Sequence, residues 1–204
     1  MPGNCAAKSI AVHTKGKKMK TTHEPEHDFT LLLSGISELT PPIVDAVFEA
    51  CEDATLGVSC GSPRLDFTRA APTMKDAILS AIADVRGVGM GIDVLRIDCS
   101  YLVTQAEIAR KIGKSRQMVH QYIRDIRGPG GFPPPARKGA SDQPLWHWCD
   151  VAEWLCRNEM APANLAGDAE AVETINCVLD YTRRSKRHGG LVREVKTAMS
   201  VKRA

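Results

Sequence analysis

Six short segments between residues 28 and 99 restrict the fold more than any other feature of the chain. The first, third, fourth and sixth are apolar runs, or alternate apolar with polar residues, which is typical of strands. The second and fifth repeat apolar residues every three or four positions and start with threonine and proline, which is typical of helices. The segments are DFTLLLSGI, a helix from Thr40 to about Cys51, ATLGVSC, RLDFTRA, a helix over 73–88, and IDVLRIDC. The predicted order is therefore β-α-β-β-α-β.

This order predicts two helices on one face of a four-stranded antiparallel sheet, the split arrangement called ferredoxin-like. We assign residues 27–99 to such a ferredoxin-like module. Its second helix carries an apolar stripe that begins at Met74 and ends at Val85, and this stripe would face the sheet. Asp66 and Arg69 are close together on one strand, and we expect them to form a surface ion pair.

Charge is distributed unevenly along the chain. Residues 1–20 carry five lysines and no acid, whereas residues 21–99 carry 5 basic and 13 acidic side chains. Residues 100–160 carry 9 basic and 6 acidic side chains, and residues 183–204 carry 8 basic and one acidic. Basic arms bind polyanions or stay solvated. Because residues 1–26 are also poor in large apolar side chains, we predict that they form a disordered basic arm.

The chain lacks the features of an exported or membrane-spanning protein. No stretch approaches the roughly 20 apolar residues of a membrane helix. The N-terminal residues lack the apolar run of about 7–15 residues that a signal peptide needs. The seven cysteines are spread out and never form C-x-x-C, which fits a reducing compartment. We therefore expect a cytoplasmic protein with no membrane partner.

Residues 104–124, TQAEIARKIGKSRQMVHQYIR, have the spacing of two short helices joined by a tight turn. Ala109 is small enough for two helices to cross closely, and Gly113 tolerates the positive φ that the turn needs. Ser115 is placed to cap the second helix. The positions expected in the shared core are Ile108, Ile112, Val119 and Tyr122 or Ile123. The pattern predicts a helix-turn-helix.

The second of these helices carries long polar side chains on its remaining positions, namely Arg116, Gln117, His120 and Gln121. Arginine can form two hydrogen bonds to guanine, and glutamine can form two to adenine. Residues 107–124 carry five basic side chains and one acidic, which suits a surface that faces phosphates. We therefore expect double-stranded DNA as the partner, and association with the nucleoid in the cytoplasm.

The residues after this pair strengthen that expectation. GGFPPPARKG, LWHW and DVAEWL follow in order. Together with the helix pair, residues 102–157 resemble the winged helix-turn-helix of MerR-type regulators and phage excisionase-like proteins. The resemblance implies a two-stranded wing, a returning strand at LWHW and a last helix capped by Asp150. It also implies a DNA-binding domain over residues 100–160, with the second helix in the major groove.

We expect DNA contacts from two groups of residues, one around the helix pair and one on the wing. The four polar residues of the second helix named above would read bases. Affinity would come from Lys111, Lys114, Arg124, Arg137, Lys138 and the basic tail. The resemblance makes Arg137 and Lys138 the wing contacts and makes the three tryptophans, Trp146, Trp148 and Trp154, core or wing support. The full set of expected DNA-binding residues is Thr104, Gln105, Lys114, Ser115, Arg116, Gln117, His120, Gln121, Arg124, Arg137 and Lys138.

The C-terminal part is predicted as a helix over residues 161–184 and a basic tail over 185–204 that is weakly ordered at best. Unlike MerR proteins, the chain has no long dimerisation coiled coil and no cysteine-paired metal sensor. The spacing of His147, Cys149 and Cys156 lacks a fourth ligand and matches no zinc site. No nucleophile-elbow pattern or other catalytic set stands out. We therefore expect no metal, no cofactor and no enzymatic activity.

These observations predict an α+β protein in which a ferredoxin-like sandwich precedes a winged helix-turn-helix and a C-terminal helix. The expected function is that of a bacterial or phage transcriptional regulator that binds DNA as a homodimer on a two-fold site. Residues 28–99 would serve dimerisation or contact with a protein partner, with ligand sensing and structural support as open alternatives. Two other functions also stay open: an excisionase-like architectural DNA-binding factor, and an antitoxin or defence-system adaptor that acts through protein contacts.

Overall fold

The computed structural model describes residues 24–36, 38–59, 61–139 and 142–200. Within them the protein is α+β, with seven helices and two antiparallel sheets. It divides into two compact units: the first comprises the described parts of Met1–Asp98 and Ile175–Ala204, and the second is Cys99–Thr174. Residues 1–23 of the predicted disordered arm lie outside the described residues. None of the described helices combines the length and the apolar character needed to cross a membrane.

The first unit contains six elements in the predicted order. They are β1 (Glu26–Ser34), α1 (Pro41–Ala50), β2 (Ala54–Ser59), β3 (Ser62–Ala70), α2 (Met74–Gly87) and β4 (Asp93–Ile97). The strands form one sheet in the order β2-β3-β1-β4, and every neighbouring pair is antiparallel. The first strand begins and ends two residues before the predicted segment.

One face of this sheet is the core of the first unit. Alternation along the strands places Leu31 opposite Leu65, and both are fully buried. On the same face the rings of Phe29 and Phe67 stack with their centroids 5.1 Å apart. Ile78 of α2 is also fully buried, and the apolar stripe of that helix therefore provides core as its periodicity predicts.

Arg69 also lies on this covered side, which contradicts the predicted surface ion pair with Asp66. The Arg69 guanidinium donates to both carboxylate oxygens of Asp53, at 2.7 and 2.8 Å, and forms an ion pair with Asp84 at 2.7 Å. Asp66 pairs instead with Arg64, at 3.1 Å. The prediction was wrong because residues three apart on a strand point to opposite faces of the sheet.

The second unit is built around three strands and three helices. Its elements are β5 (Leu102–Val103), α3 (Gln105–Lys111), α4 (Arg116–Ile123), β6 (Arg137–Lys138), β7 (Pro144–His147), α5 (Trp148–Arg157) and the start of α6 (Leu165–Arg187). The strands follow the order β5-β7-β6 with antiparallel pairing. A single cluster of buried side chains joins these elements except β6, and it includes Val103, Ile108, Val119, Tyr122, Trp146, Val151, Trp154 and Leu155.

Three predicted helix starts have different outcomes. Thr73 caps α2, and its hydroxyl accepts a bond from the Asp76 amide at 3.2 Å. Thr40 precedes α1, but its side chain makes no capping bond. The predicted cap at Asp150 is wrong, because α5 begins at Trp148 and His147 holds the capping position. The strand β7 runs directly into this helix, so Asp150 falls within its first turn.

The C-terminal residues contain more helix than predicted. The helix α6 continues to Arg187, and α7 (Gly189–Ser200) follows it, which corrects the prediction of a weakly ordered tail over residues 185–200. Residues 201–204 of that tail lie outside the described residues. The apolar residues Leu191, Val195 and Met199 recur every four positions along α7. They remain exposed, and α7 has no buried residue. High charge in this segment therefore obscured a helical period that the sequence does contain.

Candidate nucleic-acid interface

The start of α3 is fixed by a reciprocal pair of hydrogen bonds. The Thr104 hydroxyl accepts from the Glu107 amide at 3.2 Å, and the Glu107 carboxylate accepts from the Thr104 amide at 2.7 Å. This is a capping box. The bond from the Thr104 backbone is the main reason why the pKa of Glu107 is lowered. Thr104, expected to contact DNA, therefore already has a structural role in the chain.

The turn between α3 and α4 follows the predicted chemistry. Gly113 adopts φ +63°, a left-handed conformation that glycine enters without steric cost. The Ser115 hydroxyl accepts from the Met118 amide at 3.1 Å and so caps α4. The Gln105 side-chain amide donates to the Arg116 carbonyl at 2.7 Å. This last bond ties the first residue of α3 to the first residue of α4.

Packing then determines which side of α4 faces outward. Val119 and Tyr122 are buried in the core of the unit. The opposite positions, Arg116, Gln117 and His120, are exposed, and the fourth predicted base-reading residue, Gln121, is partly buried. The helix therefore presents three long polar side chains on a surface whose orientation is set by its buried side.

Basic side chains border this surface. Lys114 and Arg124 are exposed, one before α4 and one at its C-cap. Lys111 is also exposed, and its ammonium lies 4.9 Å from the centre of the Trp148 ring. Two further exposed cations, Arg110 and Arg127, were not among the predicted contacts. The excess of basic residues over 107–124 includes Arg110, but Arg127 lies beyond that stretch and no motif singled it out.

The hairpin of β6 and β7 carries the other predicted contacts. Arg137 is paired with Leu145 and Lys138 with Pro144, and both basic side chains are exposed. The Lys138 ammonium lies 3.0 Å from the Asp142 carboxylate. Since both groups of this ion pair are mostly exposed, water screens it and it adds little to stability. It does reduce the positive charge that Lys138 offers to a polyanion.

Two tryptophans hold the glycine- and proline-rich segment between α4 and β6. The Trp146 indole donates to the Pro133 carbonyl at 3.1 Å, and the Trp154 indole donates to the Gly130 carbonyl at 2.9 Å. The Phe132 ring packs edge-on against both indoles, with centroid distances of 6.3 and 4.9 Å. These contacts supply hydrogen-bond partners to a segment whose backbone has no regular secondary structure.

The thiols of this unit have partners within the chain. The Cys149 thiol donates to the Glu173 carboxylate at 2.7 Å, and burial raises the pKa of Cys149 to about 12. The Cys156 thiol donates to the Pro162 carbonyl at 3.2 Å. Among the residues that the structure describes, no group of three histidine, cysteine or acidic side chains is placed to hold a metal ion.

The predicted contact residues therefore fall into two kinds. Thr104, Gln105 and Ser115 make hydrogen bonds that position α3 and α4, whereas most of the others are exposed and available to a partner. No protein-family model, curated protein or solved structure matches the chain. The geometry of the described residues is thus what supports a functional assignment.

Proposed function

We propose that the protein binds double-stranded DNA in a sequence-specific way and acts as a transcriptional regulator. In this proposal α3 and α4 are a helix-turn-helix, α4 enters the major groove, and the β6–β7 hairpin is a wing. The observation that carries the proposal is the exposed row of Arg116, Gln117 and His120 on a helix that is capped, tied to α3 and packed on its other side.

The two kinds of exposed side chain would have different tasks. Arg116 and Gln117 can each offer two hydrogen bonds to a base edge, and such pairs discriminate between bases. Lys114 and Arg124 would contact phosphates, which adds affinity without sequence preference. Gln105 and Ser115 would act as positioning residues, since their bonds to the backbone fix the start of α4.

The first unit would support DNA binding by holding two copies of the chain together. Its element order and its strand order β2-β3-β1-β4 favour a ferredoxin-like sandwich. One small DNA-binding unit buries little surface on a duplex, so tight binding is expected from a homodimer on a two-fold site. We propose that this unit provides the dimer contact, and that the protein acts on the nucleoid in the cytoplasm.

A selection from random oligonucleotides near physiological salt tests the proposal and supplies a preferred site. Arg116→Ala should then weaken binding to that site by about 1–3 kcal/mol and relax the choice at one base pair. Arg157→Ala is the matched control, since Arg157 is an exposed arginine of the same unit that pairs with Glu153. It should leave binding unchanged. Equal losses for Arg116→Ala on the selected site and on random DNA would contradict a base-reading role.

The phosphate contacts are tested separately, by the salt dependence of DNA affinity. Arg124→Ala should weaken binding to all sequences alike and lower the slope of log affinity against log salt by about 1. A protein that selects no sequence, yet bends DNA in a phased-site assay, would instead be an architectural factor. Absence of any DNA binding would favour an adaptor that acts through protein contacts.

A further inference from the structure

The four-stranded sheet of the first unit has two edge strands, β2 and β4, and they differ. The outer edge of β4 is covered at Ile97 by Asn176. Its side-chain oxygen accepts from the Ile97 amide at 2.7 Å, and its side-chain nitrogen donates to the Ile97 carbonyl at 3.1 Å. A single asparagine thus satisfies both outward backbone groups of one edge residue. No equivalent contact covers β2 among the described residues.

The outward groups of β2 can be identified from the ladder. The Thr68 amide donates to the Asp53 carbonyl at 3.2 Å, so the pair just before β2 is hydrogen-bonded to β3. In an antiparallel ladder every second residue bonds to the same neighbour. Leu56 and Val58 therefore point their amide and carbonyl groups away from β3. Within the part of the chain that the structure describes, no group bonds to them.

This edge also lacks the usual protection against pairing. The strand ATLGVS contains no charged residue and no proline, and its six residues pair with β3 without a bulge. Val58 is 43% exposed. Natural edge strands are normally interrupted by lysine, proline or a bulge, because an uninterrupted edge is a template for another strand.

The helix α1, which packs beside β2, supplies a second observation. Only Val47 on this helix is buried, while Ile43, Val44 and Phe48 are partly exposed. The helix PPIVDAVFEA is apolar around most of its circumference. A helix of that kind is normally covered on more than one side. Partly exposed apolar side chains thus lie on an element next to the unpaired edge.

We propose that β2 pairs with β2 of a second copy of this chain, antiparallel, about a two-fold axis at Gly57. In this register Leu56 of one copy lies opposite Val58 of the other, so residues whose backbone groups point outward bond to each other. Thr55 lies opposite Ser59, and no charged residues oppose one another on the paired strands. The two sheets would join into one continuous sheet.

A second copy fits this edge better than a foreign strand does. A sheet edge that selects a peptide needs side-chain pockets beside it, whereas β2 offers uncharged side chains that pair with themselves. A two-fold interface uses the same patch on both copies and closes as a dimer. This inference names the contact for the proposed homodimer, but it is tested without DNA and does not depend on DNA binding.

The test is the monomer–dimer equilibrium of the full chain, measured by sedimentation. Val58→Pro removes an amide that points outward, so the protomer keeps its ladder to β3 while the dimer loses two bonds across the axis. Val58→Lys places a charge on the same edge, and Val58→Ile is the matched control. We expect the first two variants to weaken dimerisation roughly tenfold to hundredfold, with unchanged circular dichroism, and the control to behave like the wild type.

Amide exchange on the wild-type protein gives a second readout that needs no variant. Exchange at Leu56 and Val58 should slow as protein concentration rises. Protection that is independent of concentration would mean that this chain covers its own edge, and a monomer at all concentrations would equally overturn the proposal. A dimer that survives Val58→Pro and Val58→Lys but is lost on Leu191→Asp would place the interface on α7 and refute the β2 contact.

Discussion

Replacing Arg69 by methionine tests the energetics of the first unit most directly. The Arg69 side chain is only 11% exposed and bonds to the carboxylates of Asp53 and Asp84. These bonds hold the pKa of Arg69 above its ordinary value. Arg69→Met would leave these two carboxylates with no cation between them. Removing one partner of a buried ion pair costs about 3–5 kcal/mol.

The partners set the size of the effect. The Asp53 and Asp84 side chains are 34% and 41% exposed, so water would stabilise the remaining carboxylates in part. We therefore expect Arg69→Met to lower the free energy of unfolding by about 2–4 kcal/mol, less than the full cost of a buried pair.

Arg64→Met on the same strand is the matched control. Arg64 pairs with Asp66, and both side chains are more than a third exposed. Such a pair contributes about 0–1 kcal/mol. Urea unfolding followed by circular dichroism gives both free energies and their m-values. If the two variants differ by less than about 0.5 kcal/mol, burial of Arg69 does not have the energetic role assigned to it.

Three further predictions concern the second unit and α6. Gly128 has φ +97°, and an added Cβ would lie 2.9 Å from the Tyr122 ring, so Gly128→Ala should lower stability by about 1–3 kcal/mol in a thermal melt. Ser115→Ala removes the cap of α4 and should cost about 1 kcal/mol, measured the same way; an unchanged melt would show that the cap is dispensable. Because burial raises the pKa of Cys149 to about 12, its alkylation near pH 8.5 should be slower than that of the exposed Cys177. Equal alkylation rates for the two thiols would contradict the raised pKa of Cys149. The stability that comes from keeping the Cys149 thiol neutral is complete below the ordinary thiol pKa and falls as pH rises above it.

Local pattern was enough to predict most of the elements. Periodicity and capping residues predict the six segments of the first unit and the pair α3–α4. Gly113 and Ser115 have the conformation and the cap bond that their positions predict. The predictions at Asp150 and along α7 were wrong, because one depends on an exact helix boundary and the other on a helical period hidden among charged residues.

The candidate site was also predictable only in its local features. The sequence indicated which residues of α4 are polar, but not that Gln105 bonds to the Arg116 carbonyl or that Gln121 is partly buried. Those properties depend on how two helices cross and on what packs behind them. A polar residue near a motif can either contact a binding partner or form hydrogen bonds that hold the fold together. The residue type alone does not distinguish these two roles.

The sequence by itself determined the order of helices and strands, because hydrophobic period and capping act over a few neighbouring residues. Only the tertiary structure decided which distant groups meet. Asn176 closes the edge at Ile97 from 79 positions away, and Arg69 finds its carboxylates on separate elements. These contacts come from chain segments brought together by burial of the apolar faces, and no spacing along the chain specifies them.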